Sequence, residues 1–370
     1  MDIVVRKTDL LKELQLFQGI VERKNSIPIL SNVLVETAGA EIRIAATDLD
    51  VSLRSVCPAQ VVKPGAVTLG AKKLYEIVRS LPESDVHLEV LADSWTAIES
   101  ERVKFKMAGL PREDFPALPE PKGSKGIEIP GEALKDLIAR TGFAITAEDA
   151  RYYLAGALLL LEKDSVAMVA TDGHRLSYAS RHLPLKTGEP QRVLIPRKAV
   201  QEIGRLLESA EAISFQKMDN HIVFTAGSRT LASKTIDGQF PAFEKVITVT
   251  GDKKLQVPRE TLSTAIRRVS LLSSERSRAV KLTVTEGQLD LAASSPDLGE
   301  ARESVPIDYK GGSVEIGFNA QYLLDFLQAA GTERVAIELK DQESQGILRP
   351  LPDENSPATD YRYVVMPMRL

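Results

Sequence analysis

Cysteine is almost missing from this chain. One thiol, Cys57, in 370 residues excludes an internal disulfide and any multi-cysteine zinc site, and it points to a reducing compartment. Histidine is scarce as well: His87, His174, His182 and His221 include no i, i+4 pair, and none adjoins the cysteine. No Gly-x-x-x-x-Gly-Lys loop, Gly-x-Gly-x-x-Gly run or Gly-x-Ser-x-Gly elbow occurs, so the usual phosphate cradles and nucleophile turns are absent. No stretch reaches the roughly 18 apolar residues of a membrane span. Met1-Asp2-Ile3-Val4-Val5-Arg6-Lys7 lacks a signal-peptide pattern, and a soluble cytoplasmic protein is expected. At 43% hydrophobic and 26% charged residues the composition is globular, which excludes disorder and collagen. The net charge of −4 argues against an even basic coat, yet leaves room for a basic face offset elsewhere.

What the chain does have is a repeat. Thr47-Asp48-Leu49-Asp50-Val51-Ser52-Leu53 returns 124 residues later as Thr171-Asp172-Gly173-His174-Arg175-Leu176-Ser177. A weaker copy, Ser294-Ser295-Pro296-Asp297-Leu298-Gly299-Glu300, follows after another 123. Each copy succeeds an alternating run (Ile42/Ile44/Ala46, Val166/Met168/Ala170, Leu289/Leu291/Ala293), which predicts strand, tight polar turn, strand. Helical spacing recurs at Leu10, Leu14, Phe17 and Val21, at Leu134, Leu137 and Ile138, and at Leu262, Ile266 and Val269. A second helix recurs over residues 72–79, 197–203 and 319–326. Phe115-Pro116-Ala117 and Phe240-Pro241-Ala242 stand 125 apart, and the Pro- and Gly-rich stretch 116–131 and the charged stretch 248–258 read as junctions. Repetition at one period decides the architecture: an α+β chain of three similar units.

Asp172 and His174, with Glu148, form the one constellation that suggests a hydrolase or nucleotide-processing enzyme. The aspartate recurs at Asp48 and Asp297 whereas the histidine does not, so turn chemistry is the better reading. Three helical segments carry charge opposite to the chain's average. Lys72, Lys73 and Arg79 against Glu76 leave +2, as do Arg197, Lys198 and Arg205 against Glu202. Over 260–278, Arg267, Arg268, Arg276 and Arg278 against Glu260 and Glu275 leave +2 again, while 320–334 is −1. Arg151-Tyr152-Tyr153-Leu154, on its residues alone, reads as an ordinary strand.

The unit order, the Thr171–Leu176 turn, the Phe-Pro junctions, the Tyr152-Tyr153 pair and the ending Tyr363-Val364-Val365-Met366-Pro367-Met368-Arg369-Leu370 resemble, over the whole chain, the bacterial sliding clamps, the beta subunits of DNA polymerase III. The resemblance implies three clamp domains, 1–124, 125–252 and 253–370, each with two helices and antiparallel sheets. Six such domains, from a homodimer, would close a ring around duplex DNA, with basic helices inside and an acidic wall outside. It implies no catalysis, cofactor or metal and no membrane. The partners would be double-stranded DNA held without regard to sequence, the polymerase III alpha subunit, the clamp loader, and other polymerases and repair proteins. The compartment would be the cytoplasm, at the nucleoid during replication. A sequence-specific DNA-binding protein is the remaining alternative; it would depend on base sequence and survive on linear DNA.

By the same resemblance, Arg23, Lys24, Lys72, Arg79, Tyr152, Tyr153, Arg197 and Lys198 would meet DNA. Phosphate attraction without base readout is what sliding requires, and exposed tyrosines suit stacking on unpaired bases. A partner-peptide pocket would be lined by Leu154, Thr171, Gly173, His174, Arg175, Leu176, Pro241 and Val246. Asn319, Tyr322, Val364, Met366, Pro367, Met368 and Arg369 would complete it, the methionines adapting to several occupants. Lys245 stands where an arginine is common, and residues 343–351 match poorly. At the dimer seam Phe105 and Met107 would meet Leu271 and Leu272, with Lys73, Arg102 and Lys104 facing Glu300 and Glu303.

Overall fold

Alternation and heptad-like stripes in this sequence become strands and helices largely where the pattern predicts them. The computed structural model describes residues 1–21, 27–121, 126–146, 149–248, 250–352 and 359–369. Seven helices occur among these residues: α1 (Lys7–Phe17), α2 (Ala71–Ser80), α3 (Gly131–Thr141), α4 (Arg197–Leu206), the single-turn α5 (Glu244–Ile247), α6 (Arg259–Ser270) and α7 (Ala320–Ala330). Each long helix buries one stripe, such as Leu10, Leu14 and Phe17 of α1 or Leu323, Phe326 and Leu327 of α7. The structure shortens two sequence readings. α1 stops at Phe17 rather than Val21, and there the Gln18 N–H bonds back to the Gln15 carbonyl in a tighter turn. α6 stops at Ser270, so Arg276 and Arg278 lie beyond it and belong to no helix. The junction 248–258 is in part a strand, Lys253–Pro258.

α7 shows how a helix boundary follows from its residues. Asn319 caps its start: the Asn319 side-chain oxygen accepts the backbone N–H of Gln321 at 2.9 Å. Gly331, at φ 69°, turns the chain left-handed at its end.

Two compact units result, Met1–Glu132 with Lys198–Thr235, and Ala133–Arg197 with Ile236–Leu370. The first holds a five-stranded sheet, whose outermost strands are Gln60–Lys63 and Val103–Met107, and a nine-stranded sheet. Within the nine, strand Val51–Pro58 pairs with Arg229–Lys234, and Leu53 lies opposite Leu231. The second unit repeats this arrangement in its eight-stranded sheet. Strand Arg175–His182 pairs with Thr359–Val365, and Leu176 lies opposite Val364. Its four-stranded sheet runs from the edge strand Gly299–Pro306 to Val314–Asn319. Middle-repeat strands therefore join the first repeat in one unit and the last repeat in the other.

The expected turns are built as their residues predict in two of three copies. The Asp48 carboxylate accepts the N–H groups of Asp50 and Val51, at 2.9 and 2.7 Å. Asp172 accepts those of His174 and Arg175, at 2.9 and 3.0 Å. The third turn closes instead on the backbone, Leu298 N–H donating to the Ser295 carbonyl. In the first unit α1 is fastened to the sheet by a two-pronged ion pair, Arg229 donating to both oxygens of Glu13 at 3.0 and 2.7 Å.

Cys57 sits 1% exposed on strand Val51–Pro58. Burial, then the nearby carboxylates of Asp9 and Glu13, push its thiol up to about 12. The native protein is therefore expected to resist Ellman's reagent at pH 8 and to release one equivalent of thiolate product only on unfolding. Rapid labelling of folded protein would contradict this burial.

Candidate functional site

In the second unit, an apolar floor lies on one face of the eight-stranded sheet. Leu158, Val169, Leu176, Leu194, Phe243, Ile247, Ile347 and Val364 form one buried cluster, with Leu160, Tyr178, Ile236, Phe240 and Val246 packed against it. Tyr178 stacks on Phe243 at 6.0 Å between ring centres. Three of the predicted pocket residues, Leu176, Val246 and Val364, belong to this cluster. Thr171 joins through its hydroxyl, which donates to the Arg175 carbonyl at 2.6 Å and accepts the Gly173 N–H at 3.0 Å. Leu154 is buried at the end of the turn Asp149–Leu154, and Pro241 is exposed just before Phe243. The residues that sequence reading passed over are the rest of the floor. Tyr178 follows the period of its strand, and Phe243 lies two residues beyond Pro241, so both carried a legible signal.

The tail runs along the same site. Met366 N–H donates to the His174 carbonyl at 2.9 Å, and Met368 N–H to the Gly317 carbonyl at 2.8 Å. These two bonds hold an extended segment whose side chains stay partly free, Met366 at 44% exposure and Arg369 exposed. Pro367, Met368 and Arg369 also border a cavity of about 650 Å³ with Glu315, Gly317 and Glu343. Adaptable thioethers beside an apolar floor suit a short extended peptide.

Arg175 occupies a different place from that expected of a lining residue. Its side chain is only 10% exposed, and its guanidinium reaches Asp325, Asp172 and the Phe143 carbonyl. The ring of Tyr322 lies 4.3 Å from it. Burial alone would depress this group, but Tyr363, Asp325 and Asp172 outweigh that and hold it charged. It joins the Asp172 turn to α7 and so positions the groove. Asp325, which makes the 320–334 stretch negative, is its counter-ion. Asp172, as turn cap and ion-pair partner, is engaged as structure rather than poised as an acid or base, and Glu148 lies outside the described residues. Among the described residues no group of three or more His, Cys, Asp or Glu could hold a metal.

The predicted DNA residues divide. Arg23 and Lys24 lie outside the described residues. Arg79 and Arg197 are exposed, with no ionic partner among the described residues. Lys72 and Lys73 both lie near Glu76, the latter at 2.6 Å, and this contact holds the Glu76 carboxyl below its usual range. Lys198 departs from the expectation. Its ammonium donates to Asp48 and to the Ile20 carbonyl, so its charge is neutralised within the first unit. Glu202, already counted in the +2 read for that helix, is buried and paired with Arg205. Arg151–Leu154 is a 3-10 turn rather than a strand, and it presents Tyr152 at 61% exposure, edge-on to Tyr153.

Both predicted seam surfaces are open in the single chain. Phe105 and Met107 are half-buried on the edge strand Val103–Met107, Leu271 is 76% exposed, and Leu272 is half-buried. The charges intended for the partner already have neighbours: Lys73 with Glu76, Lys104 with Glu99, Glu303 with Arg268 and Glu300 with Arg302. Arg102 is exposed. These exposed pairs are weak and exchangeable.

Replacing Arg175 by alanine strands Asp325 and Asp172 and is expected to cost about 3–5 kcal/mol, the range for breaking a buried pair. A large fall in melting temperature, with a smaller fall for Asp325→Asn, would be seen by calorimetry. An unchanged melt for Arg175→Ala would overturn the positioning role.

Comparison with known proteins agrees with this geometry along the whole chain. Residues 1–119, 128–242 and 244–369 match the N-terminal, central and C-terminal domain models of the DNA polymerase III beta subunit. The beta sliding clamp of Pseudomonas putida is 38% identical and that of Escherichia coli K12 is 35% identical, each across 100% of both chains. A crystal structure of the DNA polymerase III subunit beta from Pseudomonas aeruginosa superposes with a TM-score of 0.92 at 37% identity, again covering both chains fully. This chain therefore belongs to the DNA polymerase III beta subunit family, the beta sliding clamps.

Proposed function

We propose that this chain is the non-catalytic processivity subunit of a bacterial replicative polymerase, closing as a homodimer around duplex DNA and holding partners by a peptide groove. The observation that carries the reading is the convergence of the Thr171–Leu176 turn, the Phe240–Ile247 segment and the terminal Met366–Arg369 segment on one apolar floor. In this reading the three repeats extend over 1–124, 125–252 and 253–370. The occupants are short segments of the polymerase III alpha subunit, the clamp loader, and other polymerases and repair proteins, which compete for one site. The chain works in the cytoplasm, at the nucleoid during replication.

Ring closure follows from the repeat. Strand Val51–Pro58 is covered by Arg229–Lys234, and strand Arg175–His182 by Thr359–Val365. The third copy of the first strand is Gly299–Pro306, and the third candidate for the second is Val103–Met107; each is an edge. Pairing them across two chains, twice, satisfies these two edges in each chain. Phe105, Met107, Leu271 and Leu272 supply the apolar centre. Lys73, Arg102 and Lys104 exchange their present neighbours for Glu300 and Glu303.

DNA contact falls to Arg79 and Arg197 with Lys72, to Arg23 and Lys24, and to Tyr152 and Tyr153. Lys198 contributes only where phosphate displaces Asp48. The hydrolase reading finds less support, because Asp172 is bound up in a turn and an ion pair.

Topology separates these readings. Loaded by a clamp loader onto nicked circular DNA, the protein is expected to stay with the circle and to be lost once the DNA is cut; equal retention on circle and linear DNA would refute encirclement. Removing Met366 to Leu370 is expected to abolish binding of a polymerase-derived peptide while sedimentation still reports a dimer. Loss of the dimer instead would assign the tail to assembly.

A further inference from the structure

The nine-stranded sheet of the first unit bears a cleft of about 540 Å³ to which the clamp reading gives no task. Outward-facing residues of three strands line one side, among them Leu34, Arg43 and Arg54, and the segment Arg112–Glu120 lines the other. Strand register makes this cleft the counterpart of the groove in the second unit. There, Leu158 lies opposite Val169 and Leu194, and Val169 lies opposite Tyr178. Here, Leu34 lies opposite Ala45 and Thr68, and Ala45 opposite Arg54. Phe115 and Leu118 border the cleft as Phe240 and Phe243 border the groove, 125 residues on.

The framework is the same and the chemistry is not. Where the groove has Val169 and Tyr178, the cleft has Ala45 and Arg54, so an apolar floor is replaced by one bearing a guanidinium. Arg54 donates to the Glu120 carboxylate and to the Leu118 carbonyl, both at 3.0 Å, and the Glu120 side chain is 76% exposed. Arg43, one diagonal neighbour away on the same face, is exposed and has no ionic partner among the described residues. Arg112 is paired with Glu36 at 2.9 Å.

We propose that this cleft is a second docking site, for an extended acidic segment of a partner protein, whose carboxylate replaces Glu120 on Arg54 while a neighbouring acidic group meets Arg43. Charge complementarity selects this occupant: the floor offers the guanidinium of Arg43, without an ionic partner among the described residues, and that of Arg54, held by the exposed Glu120 carboxylate and the Leu118 carbonyl. The chain itself displays the fitting pattern. In Glu113-Asp114-Phe115-Pro116-Ala117-Leu118-Pro119-Glu120, carboxylates flank two apolar side chains, and Arg54 already holds the last of them. The inference goes beyond the groove reading, on which it rests only for the idea that this register cradles extended peptide.

The probe is a fluorescein-labelled octapeptide copying residues 113–120, titrated with the full chain and followed by anisotropy. Saturable binding is expected. The double variant Arg43→Glu/Arg54→Glu, both outward-facing on the sheet, is expected to weaken it by about tenfold or more, with an unchanged circular-dichroism spectrum. Glu120→Gln, which removes the internal competitor, is expected to strengthen it. Deletion of Met366 to Leu370 is expected to leave it unchanged, so failure here and failure of the groove are distinguishable. The proposal is overturned by absence of saturation, by indifference to the double variant or to Glu120→Gln, or by loss on tail deletion, which would move the peptide to the groove. It is equally overturned if labelled oligothymidylate binds as tightly through the same arginines, since the site would then be one for nucleic acid.

Discussion

An exposed strand edge must be paired, covered or blunted, and that requirement organises this chain. Each repeat ends a half-sheet with unpaired backbone donors and acceptors, and its neighbour completes it. Leu53 opposite Leu231 and Leu176 opposite Val364 are the same solution used twice within the chain. The edges Gly299–Pro306 and Val103–Met107 are the same problem left open at the two extremes of the repeat. A chain of three such units has one strand too many at each end, and association of two copies removes both.

A second device accompanies each internal seam. The polar turn preceding the seam strand is held by an ion pair to a following helix: Asp48 to Lys198 of α4 in the first unit, and Arg175 to Asp325 of α7 in the second. The sign of the pair is reversed between them, yet the geometry is the same, a turn fastened to a helix by one charge-assisted contact. In the second unit this contact also shapes the groove. It holds the loop whose His174 carbonyl receives the tail, so the groove's shape depends on a buried charge rather than on apolar packing alone.

Legibility varied with the range of the interaction. Turn residues, helix stripes and strand alternation act over a few positions, and the Asp48 and Asp172 turns and the helices read over 72–79 and 197–203 were legible directly. Arg151–Leu154 was not: its aromatic pair suits a strand, but the chain there is closed by local bonds, among them Ala155 N–H to the Tyr152 carbonyl. Charge counting along a helix was the least reliable guide. Lys198 and Asp325 look alike, as solvent charges, until the fold brings each to a partner about 150 residues away in sequence.

Sequence alone therefore determined the period, the three-unit order, the location of the turns and helices, and the family resemblance, because all of these are written in local residue types repeated at a constant spacing. It also marked Leu176, Val246 and Val364, which the fold brings into one apolar cluster. Only the tertiary structure decided which charges are free and which are neutralised, that Arg175 positions the groove instead of lining it, and that Tyr178 and Phe243 make its floor. It alone revealed that equivalent registers in the two units carry an apolar groove in one and an arginine-bearing cleft in the other. The reason is physical: burial and ion pairing depend on distances between residues far apart in the chain, and no local pattern encodes those distances.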